Sequence, residues 1–155
     1  MLATMKKPKR KYISRSRGVS NLHGHLIITT KYRRDLMTET MLKRLGELVQ
    51  KSCDNWQCEL IESNGEPNHY HILFRYFPQI TLSKFIGNLK STTSRAMRKE
   101  FPTEVNRLLW GGEFWNESYS IDAVANVKLE TLKQYVKNQP KELLAEVTAR
   151  HGFEF

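Results

Sequence analysis

The sequence predicts an α+β domain with a ferredoxin-like (RRM-like) antiparallel sheet, its elements running β-α-β-β-α-β before one further helix. Three observations lead there. Apolar residues alternate with period two in "NLHGHLIITTKY" (21–32) and "HYHILFRYF" (69–77). They recur at helical spacing in residues 38–53 and 81–101. Two strand-like runs adjoin between those helices, and one strand-like run lies outside each helix.

Taken in order, the first strand, within 21–32, puts Leu22, Leu26 and Ile28 on one face. Helix 38–53 has Thr38 as N-cap and a stripe of Met41, Leu42, Leu45, Leu48 and Val49. "NWQCELIES" (55–63) reads as the second strand, with Trp56, Cys58 and Leu60 facing the core. The third strand directs Tyr70, Ile72, Phe74 and Tyr76 to the core, and His69, His71, Leu73 and Arg75 to the other face. Helix 81–101 carries Leu82, Phe85, Ile86, Leu89 and Met97. Residues 109–125 are expected to hold one strand or a bent pair after Gly111–Gly112. A third helix spans 128–139, stopped by Pro140. The chain thus divides into a basic flexible arm (1–18), a folded domain (19–139) and a weakly helical tail (140–155). Two helices on one face of such a sheet leave the other face open. RNA-binding domains of this shape use that face for nucleic acid; here it is expected to carry His69, His71 and Arg75.

Composition narrows the function classes. The chain has 155 residues, enough for one domain with a real core. No apolar run approaches the ~20 residues needed to cross a bilayer, and no apolar segment follows the basic N-terminus as in a secretory signal. Cys53 and Cys58 read as free thiols of a reducing cytoplasm. Residues 1–34 hold ten Lys and Arg and no Asp or Glu, so most of the net charge of +9 lies at the front. The arm "KKPKRKYISRSR" suits nucleic-acid phosphate. It lacks the apolar stripe that a membrane surface would require. On the second helix no acid interrupts residues 82–99, and Lys84, Ser91, Arg95, Arg98 and Lys99 lie opposite the apolar stripe.

Two motifs carry chemistry. His69 and His71 share a strand face about 6–7 Å apart along the chain, a spacing at which two neutral imidazoles can hold one metal or stand as two surface histidines. Tyr135 and Gln139 are four apart on the third helix, beside Leu129, Leu132 and Val136. Such a tyrosine either packs or acts. A phenolate is a nucleophile for phosphorus, and an amide oxygen suits a hard divalent ion. The second H-x-H, His23 and His25, is assigned to structure or DNA contact, with Gly24 expected to leave a hole on the core face.

The chain resembles the single-tyrosine HUH transposases, the small TnpA-type enzymes of bacterial and archaeal insertion sequences. The resemblance runs from about residue 22 to 139, through "KYRRDL", "NHYHILF", "KSTTSR", "LWGGEFWNESY" and "YVKNQ". It implies that His69, His71 and Gln139 bind a divalent ion, Mg or Mn, and that Tyr135 attacks single-stranded DNA. The attack forms a 5′-phosphotyrosine and releases a 3′-OH. The resemblance also implies a homodimer that recognises DNA hairpins. The tyrosine helix then lies over the open face and can complete the partner's site, with "DAVANVK" (122–128) as hinge. Glu66 and Asn68 flank the metal ligands; relatives commonly have Asp where this chain has Asn68. DNA contacts are expected from Lys31, Arg33, Arg34, Arg75, Lys90, Ser91, Arg95 and Arg98. Trp110, Phe114 and Trp115 either stack on bases or pack in the core. A domesticated relative that processes genomic palindromes would share every one of these residues. A non-enzymatic nucleic-acid-binding module would explain the charge but not the pairing of Tyr135 and Gln139 with the histidines. A three-carboxylate nuclease is disfavoured, because the acids are dispersed.

Overall fold

The computed structural model describes residues 13–15, 18–124, 133, 134, 136 and 137. Its elements are β1 (Ile13–Arg15), β2 (Gly18–Ser20), β3 (Leu22–Thr29), α1 (Glu39–Asn55), β4 (Glu59–Glu66), β5 (His69–Tyr76), α2 (Leu82–Glu100), α3 (Pro102–Leu108) and β6 (Ser120–Val124). The main sheet is antiparallel, in the order β4-β5-β3-β6. Numbered from β3, the strands lie second, third, first, fourth, which is the expected ferredoxin-like arrangement.

The core lies between the sheet and α1 and α2. Leu26 and Ile28 from β3 meet Tyr70, Ile72 and Phe74 from β5, with Met41, Leu45 and Val49 from α1 and Phe85, Ile86, Leu89 and Met97 from α2. These are the stripes that the periodicity marks, and each buried side chain contributes about 1.5–3 kcal/mol. Thr38 caps α1 as expected, its Oγ1 accepting from the Met41 amide at 3.3 Å.

Some expectations change. Gly24 leaves no hole: the Phe74 ring fills the space, and a Cβ there would lie 2.9 Å from Phe74 Cζ. The second strand begins at Glu59, because α1 runs on to Asn55 and turns through Gln57 in the left-handed region (φ 56°). Residues 109–125 hold one strand, Ser120–Val124, which is one of the two forms expected, and the stretch before it touches the sheet through a bridge between Thr30 and Trp115. Helix α3 had no apolar stripe to announce it, although Pro102 at its first turn is pre-set for a helix start. At the end of the segment read as a flexible arm (1–18), β1 pairs antiparallel with β2, which runs on past that segment, with Ile13 opposite Ser20. Of the third helix, Lys133, Gln134, Val136 and Lys137 are helical; its other residues and the tail 140–155 lie outside the described residues.

The tight turn between β4 and β5 is tied down from both sides. Its Pro67 carbonyl accepts from the amides of Leu36 and Met37, and its Asn68 carbonyl from that of Thr30. Just before it, Gly65 sits against the Tyr70 ring and 2.7 Å, measured from a would-be Cβ, from the His69 carbonyl oxygen. Gly65→Ala is therefore expected to destabilise the protein by about 1–3 kcal/mol, as overpacking does. A urea midpoint equal to wild type would show that the turn can yield.

Candidate metal centre and nucleic-acid interface

The register of β3 against β5 sets Thr29 opposite His69, Ile27 opposite His71, Leu73 opposite His25 and Arg75 opposite His23. Cross-strand partners share a face, so four histidines lie on the side of the sheet away from the helices. All four are buried, with His71 fully so. The sheet face that α1 and α2 leave free is thus closed over its histidines. Val136 of the C-terminal helical residues is also fully buried. The Lys137 carbonyl accepts from Asn64 Nδ2 at 3.1 Å. Asn64 is the cross-strand partner of His71, so this helical segment lies beside the histidine face. Tyr135 and Gln139 fall outside the described residues.

Each metal-candidate histidine has one ring nitrogen occupied. His69 Nδ1 lies 2.7 Å from Asn68 Oδ1. An amide oxygen only accepts, so His69 carries its proton on Nδ1 and leaves Nε2 as a lone pair. Asn68 therefore orients its histidine as an aspartate would, without the negative charge. His71 Nδ1 lies 3.1 Å from His25 Nε2, while His71 Nε2 is buried with no hydrogen-bond partner among the described residues. The His69 and His71 rings stand edge to face, with centroids 5.0 Å apart. Glu66 is the cross-strand neighbour of His69. Two neutral imidazoles, one with an orphaned buried nitrogen, fit a divalent ion. Among the described residues no group of three or more His, Cys, Asp or Glu could hold a metal. The third ligand expected beside His69 and His71, Gln139, lies outside the described residues.

Burial holds the cluster neutral. Desolvation lowers the pKa of His69, against a smaller opposing pull from Glu66. It lowers His25 to about 4, opposed by Asp122, and lowers His71 further with the help of both neighbouring histidines. Neutral imidazole is the metal-binding form. The two remaining candidates differ. His23 Nε2 accepts from Arg75 Nε at 3.2 Å, and Arg75 Nη1 pairs with Glu59 at 3.6 Å. Arg75, expected to contact DNA, is buried and held within the protein, so a phosphate would have to displace both partners. Tyr70 lies on the opposite, core face, where its hydroxyl donates to Ser63 Oγ at 3.0 Å, away from the histidines.

The expected DNA contacts also divide. Arg33, Arg34, Ser91 and Arg95 are exposed. Lys31 is ion-paired with Glu113 at 2.7 Å, and Lys90 is half-buried, donating to the carbonyls of Asn116 and Glu117. Arg98 has Nε and Nη2 buried without partners. Phe114 and Trp115 are core residues, Trp115 Nε1 donating to Thr93 Oγ1 at 3.0 Å. Trp110 is 87% exposed and free to stack. It shares a cavity of about 580 Å³ with Tyr32 and Arg34. Tyr32 and Arg33 both take positive φ, 59° and 54°, in a 3₁₀ turn that holds the Tyr32 ring 71% exposed. Sequence reasoning missed Tyr32 and the link between His25 and His71. Tyr32 lies inside the quoted "KYRRDL" motif; the histidine link had no local signal.

The protein is thus an α+β domain with four histidines buried on the sheet face away from α1 and α2. The family model described as IS200-like transposase matches residues 18–139, and the chain belongs to that family. It is 29% identical over 121 residues to the ISDra2 transposase TnpA of Deinococcus radiodurans, covering 78% of this chain and 86% of that protein. It is 25% identical over 122 residues to the transposase for insertion sequence element IS200 of Salmonella typhimurium, covering 79% of each. A crystal structure of a Deinococcus radiodurans protein assigned as a transposase superimposes with a TM-score of 0.66 at 28% identity, over 82% of this chain and 98% of that one. The fold is shared with a REP-associated tyrosine transposase solved bound to a REP hairpin, with a TM-score of 0.60 at 16% identity, over 89% of this chain and 74% of that one. No helix among the described residues is long and apolar enough to cross a membrane.

The buried histidines give the fold a pH dependence of definite sign. Unfolded histidine takes up a proton near pH 6.5, whereas His25 in the fold does so only at about 4. Between these values the unfolded chain binds more protons, so stability falls as pH falls. At about 1.4 kcal/mol per pKa unit, His25 alone accounts for about 3 kcal/mol between pH 7.5 and pH 4. Urea titrations of the metal-free protein at pH 7.5, 6 and 5 are expected to show falling midpoints. A flat series would contradict a neutral, buried cluster.

Proposed function

We propose that this protein is a DNA transposase that cleaves and rejoins single-stranded DNA at insertion-sequence ends through a 5′-phosphotyrosine intermediate. One observation carries the reading: in an IS200-like family member, His71 presents a buried, unpartnered Nε2 beside His69, whose own Nε2 is left as a lone pair. His69, His71 and Gln139 are the residues that would hold a divalent ion, Mg or Mn. When bound, the ion neutralises charge on the scissile phosphate.

The protein's own groups do the rest. Tyr135 Oη attacks phosphorus, the bond to the 3′ oxygen breaks, and that oxygen leaves with a proton as a free 3′-OH. The phosphotyrosine keeps the phosphodiester's bond energy, so a second 3′-OH can attack it and release Tyr135 without any nucleotide. Asn68 fixes the His69 ring, and Glu66 adds negative charge beside it. Exposed Arg33, Arg34, Ser91 and Arg95 supply contacts to the phosphates of a DNA hairpin. The resemblance to TnpA-type enzymes supports hairpin recognition and a homodimer.

Incubation with single-stranded DNA from the flanks of its gene and Mn²⁺, followed by a denaturing gel, tests the chemistry. Wild type is expected to form a covalent protein–DNA adduct. Tyr135→Phe should lose it while retaining hairpin binding, and His69→Ala or His71→Ala should lose its metal dependence. A strong adduct from Tyr135→Phe would refute the assigned nucleophile.

The Asn64–Lys137 contact is compatible with a helix that serves its own sheet and with one that serves a partner's. The preceding hinge, with small Ala123 and Ala125 beside Asn126, allows alternative paths that would let the same helix cross to a partner. Mixing Tyr135→Phe with His69→Ala subunits distinguishes the two paths. Restored cleavage means that the helix works across the dimer, and absent cleavage means that it works on its own subunit.

A further inference from the structure

We propose that His25 is a positioning residue for the metal centre: it accepts the Nδ1 proton of His71 and so holds His71 in the tautomer whose Nε2 can bind a metal. The inference rests on the metal-binding reading of His69 and His71 above. It makes the second H-x-H motif a support for the first.

A neutral imidazole carries one proton on two nitrogens. His71 Nδ1 and His25 Nε2 lie 3.1 Å apart, so one donates and the other accepts. If His25 donates, the His71 proton must sit on Nε2, which is buried without a partner and would then be blocked as a ligand. If His71 donates, its Nε2 becomes a lone pair with no partner among the described residues, and His25 carries its own proton on Nδ1. Only the second arrangement serves a metal. The rings reinforce it, stacking 15° from parallel with centroids 5.3 Å apart, so that neither turns freely. His25 stands beside His71 because the register pairs Ile27 with His71 and leaves His25 as its diagonal neighbour on the same face. Asp122 is the cross-strand partner of His25 on its other side.

The two ligands are then supported in parallel. Asn68 accepts from His69 Nδ1, and His25 accepts from His71 Nδ1. His23, in the same motif, has its Nε2 engaged by Arg75 and does not belong to the relay. Metal-bound histidines regularly use their second nitrogen in this way, and loss of the acceptor typically costs about 10- to 100-fold in metal affinity.

The test uses the full chain without DNA and two substitutions. His25→Phe keeps a stacking ring and removes the acceptor; His25→Gln removes the ring but keeps an acceptor oxygen. Mn²⁺ affinity is read by calorimetry, and the His71 tautomer by long-range ¹H–¹⁵N spectra of ¹⁵N-histidine-labelled protein. Wild type is expected to show the Nδ1–H tautomer at His71. His25→Phe should bind Mn²⁺ about 10- to 100-fold more weakly, with partial recovery in His25→Gln, which a packing role alone would not produce. His69→Ala and His71→Ala serve as controls. If they bind Mn²⁺ as wild type does, the metal reading itself fails and this inference falls with it. If they lose binding while His25→Phe keeps wild-type affinity, the metal reading stands and the role of His25 is overturned. Should His25→Phe fail to fold, the wild-type spectrum decides, and an Nε2–H tautomer at His71 overturns the proposal.

Discussion

The structure depends on the register between β3 and β5. Eight consecutive pairs, from Leu22 opposite Tyr76 to Thr29 opposite His69, run without a bulge. Side chains alternate with period two, so a slip of one residue would exchange the faces. It would drive histidines into the helix-packed core and expose Leu26, Ile28 and Ile72. Burial of those apolar residues against α1 and α2 makes the slip costly, and the turn carbonyls of Pro67 and Asn68, bonded to Thr30, Leu36 and Met37, close the other end of the pairing. The histidine face is thus a consequence of the apolar one. Packing on one side of the sheet fixes the chemistry on the other.

Desolvation then gives that face its character. A buried imidazole is stabilised in its neutral form, and each histidine of the cluster has a lowered pKa whose largest cause is burial. Neutral rings are directional, since each nitrogen either donates or accepts. Asn68 and His25 occupy the Nδ1 positions of His69 and His71. The unpartnered Nε2 of His71 is an unfavourable feature for a purely structural core. It is an expected one where an ion completes the pair.

The basic residues split between internal and external work. Arg75 and Lys90 each bond within the fold, Arg75 to His23 and Glu59 and Lys90 to two loop carbonyls. The Lys31–Glu113 pair lies near the surface, where solvent weakens it. Arg33, Arg34 and Arg95 stay exposed, with their charges in solvent. Beside them the left-handed turn at Tyr32 and Arg33 holds an aromatic ring in solvent near Trp110. Non-glycine residues at positive φ carry strain of about 1–3 kcal/mol, and here two stand in succession.

Local sequence determined the β-α-β-β-α-β order of the main sheet and its two helices, the two apolar stripes, the Thr38 cap and the face that His69 and His71 share, though not α3 or the β1–β2 pair. These properties are local: each follows from the 2.0- or 3.6-residue repeat of one segment and from the residue at its end. The family motifs were legible for the same reason, as short runs of neighbours. Three matters were decided only by the tertiary structure. Gly24, read as a hole, is filled by Phe74 from the next strand. Arg75, read as a DNA contact, is held by Glu59 and His23 from two other strands. His25, set apart from the metal site, stands 3.1 Å from His71. Each contact joins residues 16 to 52 positions apart in the chain, and no periodicity within a segment encodes the register that brings such segments together. That register comes from burying all the apolar faces at once.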